Sequence, residues 1–420
     1  MLYLCAEVIF LKIAILAIGN EVLCGKVVDT NSAVISREIE KLGAKVVHHE
    51  VVLDNIDDIV RGLRNAYEYA NFVITIGGLG PTVDDLTREG VAHYFNEELI
   101  YDEYLYALIE QHFSRMKRQM PKNNVKQAYR FAKGQVLENN NGTAPGLRLD
   151  QENKKIFLLP GPPNEMLPLF ENDVKPVINQ LIDEPNITRS YRLYGIGESP
   201  AEEKILHLYH KYPMLEIAPY CTISFIDYVA TAKASAVQKL DEFEKDFLEI
   251  LKRYCIGAAT AEINQQVVAE LKKQKMTVAV AESCTGGMLA SAIIDVPGAS
   301  IVFQEGFVTY SNESKIKRLK VKPATIATYG AVSAECVEEM VQGLQEATGA
   351  DIAIAITGIA GPEGGSADKP VGTTFIGISI KNKNYIYPCN FSGNREKIRI
   401  RCRDQALFLL NQLLNNRTHM

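Results

Sequence analysis

The chain predicts an α/β protein: two three-layer α/β/α domains joined by a small α+β module. Three observations carry this. Short apolar runs alternate with helical patterns over the first 175 residues, the rhythm breaks between about 186 and 255, and it returns from 262 onward. The expected divisions are therefore 1–175, 176–257 and 258–420.

In the first region strands are expected at Ile13–Ile18, Lys45–Val51, Phe72–Ile76 and Lys155–Leu159. Asn31–Leu42, Ile56–Tyr69 and Asp102–Met120 read as helices between them. Asp29-Thr30-Asn31-Ser32 supplies N-cap chemistry and Gly43 a helix stop. This βαβα order predicts a mainly parallel sheet covered by helices. Met1 to Ile18 is apolar, but Glu7 and Lys12 interrupt it and no cationic leader precedes it. It reads as an extension or mis-assigned start over residues 1–11 followed by a buried strand, not as a signal peptide or membrane span.

The middle region reads βαββα. A strand at Thr188–Tyr194 leads to a helix after Ser199-Pro200, then to strands near Leu215–Ala218 and Ile223–Ala232, and to a charged helix over Ser235–Lys252. Gly257–Ala261 reads as a linker. In the last region strands are expected at Thr277–Ala281, Ile301–Thr309, Asp351–Ile356, Gly372–Ile380 and Tyr385–Phe391, again in a parallel pattern. Helices are expected at Asn264–Gln274, Thr285–Ile294, Ser333–Thr348 and Arg395–Leu414.

At 420 residues, 47% hydrophobic and 23% charged, the composition is that of a globular protein. A net charge of −6 disfavours nucleic acid as a partner. The eight cysteines form no CxxC pair, which argues against a zinc site or disulfide framework and fits a reducing cytoplasm.

The densest chemistry lies in a stretch without histidine, between His210 and His419. It comprises Ala281-Glu282-Ser283-Cys284-Thr285-Gly286-Gly287, Tyr310, Lys315, and Thr357-Gly358-Ile359-Ala360-Gly361-Pro362. A nucleophilic Ser283 there has no imidazole to take its proton, so Lys315 with Tyr310 are the candidates. Such a lysine must be neutral, which requires burial or nearby positive charge. Each segment also has a plainer reading. Ser283 or Thr285 would serve as a helix cap, Lys315 as a solvated lysine and Tyr310 as the packed end of a strongly apolar strand. Cys284 is a rival nucleophile, although adjacent residues at a turn point in different directions. The turn at Gly286 and Gly287 offers a helix N-terminus for an oxyanion or phosphate. Arg395 opens a helix and is suited to clamp a phosphate, while most of Arg399, Arg401 and Arg403 read as a solvated face.

Two further loops end strands in the first region. Gly19-Asn20-Glu21 follows the first strand, and Gly77-Gly78-Leu79-Gly80-Pro81-Thr82-Val83-Asp84-Asp85 follows the third. With Leu159–Met166, whose Glu165 opens a helix, they outline a nucleotide-type pocket. Gly77, Gly78, Gly80 and Thr82 would face a pyrophosphate, and Glu21, Asp84 and Asp85 a divalent metal. Acidic residues at helix starts have a simpler role as well, because they stabilise the helix N-terminus.

Together these motifs resemble the competence/damage-inducible CinA family, from about residue 12 to the end. The resemblance is carried by the stretches above and by Asn141–Gly146, Gly330-Ala331-Val332-Ser333 and Pro370–Thr373. It implies a first domain similar to the molybdopterin-binding MoaB/MogA fold, associated with ADP-ribose pyrophosphatase activity. It further implies a KH-like middle module and a nicotinamide-nucleotide amidase domain. That domain converts nicotinamide mononucleotide to nicotinate mononucleotide and ammonia without a cofactor. By the same resemblance Ser283 is the nucleophile, Tyr310 and Lys315 activate it, Thr357 and Gly358 line the site, and Arg395 meets the substrate phosphate. A homodimer is implied too. The family usually has Gly-Asp-Glu where this chain has Gly19-Asn20-Glu21, which puts metal-dependent pyrophosphate cleavage in question. A non-catalytic adaptor in DNA uptake or repair is the third reading, although Gly195-Ile196-Gly197 lacks the spacing of a GXXG clamp.

Overall fold

The computed structural model describes residues 11–415; the extension expected over residues 1–11 lies outside them except for Leu11. Contacts divide the chain into two compact units. The first ends at Ile187 and also takes Lys233–Ser235; the second takes Thr188–Ala232 and continues from Ala236.

The first unit holds a six-stranded sheet of β1 (Lys12–Ile18), β2 (Lys45–Val52), β3 (Phe72–Ile76), β4 (Gln135–Leu137), β5 (Gly146–Gln151) and β6 (Lys154–Leu159), in the order β2-β1-β3-β6-β5-β4. The β1/β2, β1/β3 and β3/β6 pairs are parallel, and β5 and β4 add an antiparallel edge. The mainly parallel sheet is as expected, whereas β4 and β5 were not anticipated. The unit also has helices α1 (Thr30–Leu42), α2 (Ile56–Tyr69), α3 (Thr87–Phe95), α4 (Glu103–Arg115), α5 (Pro163–Leu169) and α6 (Lys175–Leu181), a one-turn helix at Asn20–Leu23, and a separate antiparallel pair of short strands, Leu99–Tyr101 and Tyr129–Phe131. The expected helix over 102–120 stops at Arg115.

Strand alternation determines which helices cover which face. Ile13 and Ile15 pack with Ile35 and Ile39 of α1, Met166 of α5 and Ile178 of α6. Ala14, Leu16 and Ile18 pack with Ile59 and Leu63 of α2 and Val91 of α3. With both faces covered, β1 carries an almost unbroken apolar run. Asp29 caps α1 by accepting from the Ser32 amide at 3.0 Å, and Gly43 ends it in the left-handed conformation.

The second unit opens with β7 (Asn186–Tyr194), α7 (Glu198–Lys211), β8 (Glu216–Cys221), β9 (Phe225–Lys233), α8 (Val237–Leu251) and β10 (Cys255–Gly257). The four strands form their own sheet, ordered β8-β9-β7-β10. Arg192 of β7 joins Asp227 of β9 to Glu262 and the Ala261 carbonyl, so the expected linker is pinned at its end.

The remainder contains α9 (Ile263–Gln274), β11 (Val278–Glu282), α10 (Met288–Ile294), β12 (Phe303–Val308), α11 (Asn312–Leu319), α12 (Pro323–Tyr329), α13 (Ala334–Thr348), β13 (Ile352–Gly358), β14 (Thr373–Ile380), β15 (Lys383–Asn390) and α14 (Arg395–Leu414). Its sheet order is β12-β11-β13-β14-β15. Here the expectation of a parallel pattern needs correction. β11/β12 and β11/β13 are parallel, but β13/β14 and β14/β15 are antiparallel. The strand before Tyr310 is likewise not strongly apolar: β12 is an edge strand whose Gln304, Glu305 and Gly306 are exposed. Val278 and Val280 face α9, α10 and α14, while Ala279 and Ala281 face α13. Among the described residues no helix is long and apolar enough to cross a membrane.

Candidate active site

Strand β11 ends at Glu282, and the chain turns over Ser283–Gly287 before α10 begins at Met288, three residues later than expected. Three contacts hold this turn. The buried Glu282 carboxylate accepts from the amides of Gly287 at 3.0 Å, Leu289 at 3.0 Å and Ala290 at 2.8 Å. Arg399 donates from Nε to the Cys284 carbonyl at 3.0 Å and from Nη2 to the Thr285 carbonyl at 2.8 Å. The Gly286 amide donates to the Ser283 carbonyl at 3.2 Å.

These contacts correct the roles expected of Gly286 and Gly287. Their amides are occupied by Ser283 and Glu282, and Glu282 fills the N-terminus of α10, leaving it unavailable to a substrate phosphate or oxyanion. The glycines instead let the chain turn tightly, Gly286 at φ 59° and Gly287 at φ 96°.

Ser283 and Lys315 are brought together. Ser311 caps α11 by accepting from the Ser314 amide, and the first turn then carries Lys315 inward. Lys315 is 1% exposed, which rules out the solvated-lysine alternative. Its Nζ lies 3.0 Å from Ser283 Oγ, 2.9 Å from the Thr309 carbonyl and 3.3 Å from the Tyr310 carbonyl. Burial pushes its pKa below the usual lysine value. A neutral amine has two N–H bonds and one lone pair. With the two carbonyls accepting the N–H bonds, the lone pair is left for the Ser283 hydroxyl.

Cys284 is turned away. Its side chain packs in the apolar core, and its thiol is held below the usual thiol range, chiefly by a hydrogen bond with Cys402. Ser283, not Cys284, therefore meets the amine. Tyr310 stands differently from the expectation. The residue is 62% exposed, and its phenol accepts from Arg395 Nη2 at 3.3 Å, with no hydrogen bond to Ser283. Arg395 also donates from Nη1 to the Gly361 carbonyl at 2.8 Å. Ser283, Tyr310, Lys315, Thr357, Gly358 and Arg395 line one cleft of about 260 Å³. The Thr357 hydroxyl is committed to the Ala331 carbonyl at 2.8 Å.

The first unit has a cavity of about 630 Å³ at the carboxyl ends of β1, β3 and β6. Gly77, Gly78, Gly80, Asp84, Asp85 and Glu21 line it. Gly77 is required by geometry: at φ 102°, a Cβ there would lie 2.3 Å from the Ile18 carbonyl oxygen. Thr82 does not line the cavity. Its hydroxyl sits between the Asp84 and Asp85 carboxylates, sharing its one proton with them, and its amide donates to Asp85 Oδ2 at 2.8 Å, so Asp85 braces the loop. Asn20 donates its amide to Asp54 Oδ2 at 2.7 Å and accepts from the Asp54 amide at 3.3 Å, which occupies its side-chain oxygen. Asp54 is raised by burial and by Glu21, Asp84 and Asp85 nearby. Among the described residues no group of three or more His, Cys, Asp or Glu is arranged to hold a metal ion.

Several supporting residues escaped the sequence reading. Glu282 and Arg399 fix the serine turn, and the buried Arg88 donates to the Leu79 and Gly80 carbonyls beneath the first glycine loop. Arg401 donates to Ile223 and Ser392, and Arg403 to Asp404, so these arginines are not an idle solvated face. For Arg399 and Arg401 the only sequence signal is the crowding of arginines on α14, since each donates to a backbone carbonyl far away in sequence.

A family model described as the CinA C-terminal domain matches residues 260–414, and one described as a probable molybdopterin binding domain matches residues 14–180. A Clostridium botulinum (strain Loch Maree / Type A3) protein named for competence-damage induction is 42% identical over 393 residues, 93% of this chain and 96% of its own. A Clostridium beijerinckii protein of the same designation is 40% identical over 408 residues, 96% of this chain and 100% of its own. A crystal structure of a CinA superfamily protein from Klebsiella pneumoniae is 35% identical, spanning 37% of this chain and 96% of its own, with a TM-score of 0.36.

Proposed function

This chain belongs to the CinA family, and from that premise we propose that its C-terminal region is a serine amidase acting on nicotinamide mononucleotide. One observation carries the chemistry: the buried Lys315 amine, 3.0 Å from Ser283 Oγ, in a stretch without histidine. In the proposed reaction Lys315 takes the Ser283 proton and Oγ attacks the carboxamide carbon. Lys315 then returns the proton to the departing nitrogen, and ammonia leaves a nicotinoyl ester on Ser283. Lys315 next takes a proton from water, whose oxygen attacks the ester; the acyl–Oγ bond breaks, Lys315 returns the proton to Ser283 Oγ, and nicotinate mononucleotide is released. Tyr310 supports this through its carbonyl on Lys315, and its phenol stays with Arg395 at the cleft rim.

Incubation with nicotinamide mononucleotide should release ammonia, and Ser283→Ala should abolish that release. Equal rates for the two proteins, or none from the wild type, would remove the reading. Arg395 supplies the cleft's exposed guanidinium for the substrate phosphate. Arg395→Ala should raise KM by about 10- to 100-fold, from the ~1.5–3 kcal/mol of a charged hydrogen bond, with kcat changed far less. Steady-state kinetics reads the split, and an unchanged KM would place the phosphate elsewhere.

The first unit supports a second reading, as a site for a nucleoside diphosphate such as ADP-ribose. Its cavity combines a glycine loop with Glu21, Asp29, Asp54, Asp84, Asp85 and Glu165, and among the described residues no lysine or arginine lines it. A bare diphosphate would be repelled. Glu21, Asp54 and Asp84 do not by themselves form a metal site, so a divalent cation would arrive with the diphosphate, whose oxygens would complete its coordination. Asp54 is raised first by burial and then by Glu21, Asp84 and Asp85, and a cation would offset that second, smaller cause. Calorimetry should therefore detect ADP-ribose only with Mg²⁺ or Mn²⁺ present. Equal binding in chelator would exclude this role for the carboxylates. Phosphate release after that binding separates a pyrophosphatase from a binding domain.

A further inference from the structure

We infer that Arg399 is a positioning residue for the Ser283 reaction: it locks the peptide planes that aim the Cys284 amide into the cleft as the oxyanion donor. The inference rests on the amidase reading for its substrate, but not for its geometry.

A tetrahedral intermediate needs N–H donors at the developing oxygen. Near Ser283 most are already taken. Ser283's own amide donates to Ile356 at 3.0 Å, Gly286's to Ser283 at 3.2 Å and Ile359's to Thr373 at 2.9 Å. Those of Gly287, Leu289 and Ala290 go to Glu282. The Cys284 and Thr285 amides donate to no carbonyl or carboxylate among the described residues, the Cys284 amide reaching only its own thiol; of the two residues, Cys284 lines the cleft beside Ser283.

What holds that amide is a relay of peptide planes. Arg399 fixes the Thr285 carbonyl, and with it the Thr285–Gly286 plane that carries the Gly286 N–H. That N–H fixes the Ser283 carbonyl, and with it the Ser283–Cys284 plane. In a trans peptide N–H and C=O point oppositely, so the Cys284 N–H is aimed away from the Gly286 donor. Arg399's second bond, to the Cys284 carbonyl, fixes the intervening plane. The guanidinium's two-pronged geometry is what spans two successive carbonyls, and a lysine ammonium has no such fork. No carboxylate forms a salt bridge with Arg399 among the described residues, so its charge polarises these peptides without neutralisation.

Arg399→Ala and Arg399→Lys test this in the full-length protein. Deleting an oxyanion donor outright costs about 10²–10³ in kcat. Loosening one should lower kcat on nicotinamide mononucleotide by about 10- to 100-fold, with KM within about twofold. Guanidinium chloride at low millimolar concentration should restore part of the Ala variant's rate, and methylammonium should not. The same pattern is expected in the rate at which an activated p-nitrophenyl ester acylates Ser283, followed by mass spectrometry. If the wild type is acylated but leaves nicotinamide mononucleotide intact, the substrate assignment fails and the acylation ratio still decides Arg399. Wild-type rates in Arg399→Ala would overturn the inference. So would a kcat loss that guanidinium cannot restore and that tracks a fall in Tm, because that marks a merely structural arginine.

Discussion

Lys315→Met should lower acylation of Ser283 by about 10³-fold or more, while leaving the second unit as stable as before or more so. The rate loss follows from removing the base, whose contribution is typically about 10²–10⁴ and is larger when nucleophile and base act as one unit. The stability gain follows from burial. Lys315 is 1% exposed and forms no salt bridge among the described residues, so its charged form is desolvated with carbonyls for compensation. Methionine has a similar length and no charge to desolvate. The pH dependence follows from the lowered pKa. Above the folded-state value the lysine is neutral in the native protein, whereas in the unfolded chain it keeps its proton up to about 10.5. Between those two values the unfolded chain binds more protons, so unfolding free energy rises with pH across that window. The same deprotonation should raise kcat/KM with pH until Lys315 is fully neutral. Urea titrations across that pH range should show the slope in wild type and a flatter one in Lys315→Met. A methionine variant that is destabilised and keeps the slope would mean that Lys315 is charged and structural.

The sequence made some features legible because they are local. Asp29 caps its helix where expected, since an N-cap needs only a short polar side chain and an amide three residues on. Buried strands β1, β3 and β11 declare themselves by apolar runs. The direction of β14 does not, because composition carries no sign: Ile376 and Ile378 would pack equally well in a parallel partner. The β5–β6 hairpin has a local signal, Leu147 and Leu149 alternating with polar residues before a turn. In the cleft, Ser283 and Lys315 were readable as a pair by the exclusion of histidine. Tyr310's allegiance to Arg395 was not, because a phenol at a strand end has no local signal for which neighbour it meets. Glu282 and Arg399 were missed for a related reason. Both act on backbone groups, and nothing in a side chain's identity marks the amide or carbonyl it will find.

Glu282 is where stability and chemistry meet, and Glu282→Gln should destabilise the second unit by about 2–4 kcal/mol. The side chain is 1% exposed and accepts from three amides at the start of α10, a use of charge that complements the helix dipole. Glutamine keeps the length but replaces one accepting oxygen with an NH₂. At least one amide then faces a donor, and the remaining bonds lose their charge assistance. Aspartate keeps the charge but is one methylene too short to reach Leu289 and Ala290 together, so it should restore only part of the loss. Because Ser283 is the next residue and its turn closes on Gly287, a shift there moves Oγ relative to the Lys315 amine, and kcat should fall together with stability. This behaviour separates Glu282 from Arg399, where kcat is expected to fall with little change in Tm. Denaturant unfolding of Glu282→Gln and Glu282→Asp reads the first quantity and ammonia release the second. If glutamine lies within about 0.5 kcal/mol of wild type, the carboxylate is not what holds the turn. The N-terminus of α10 would then be free for a ligand, and inorganic phosphate should inhibit the Gln variant more strongly than the wild type.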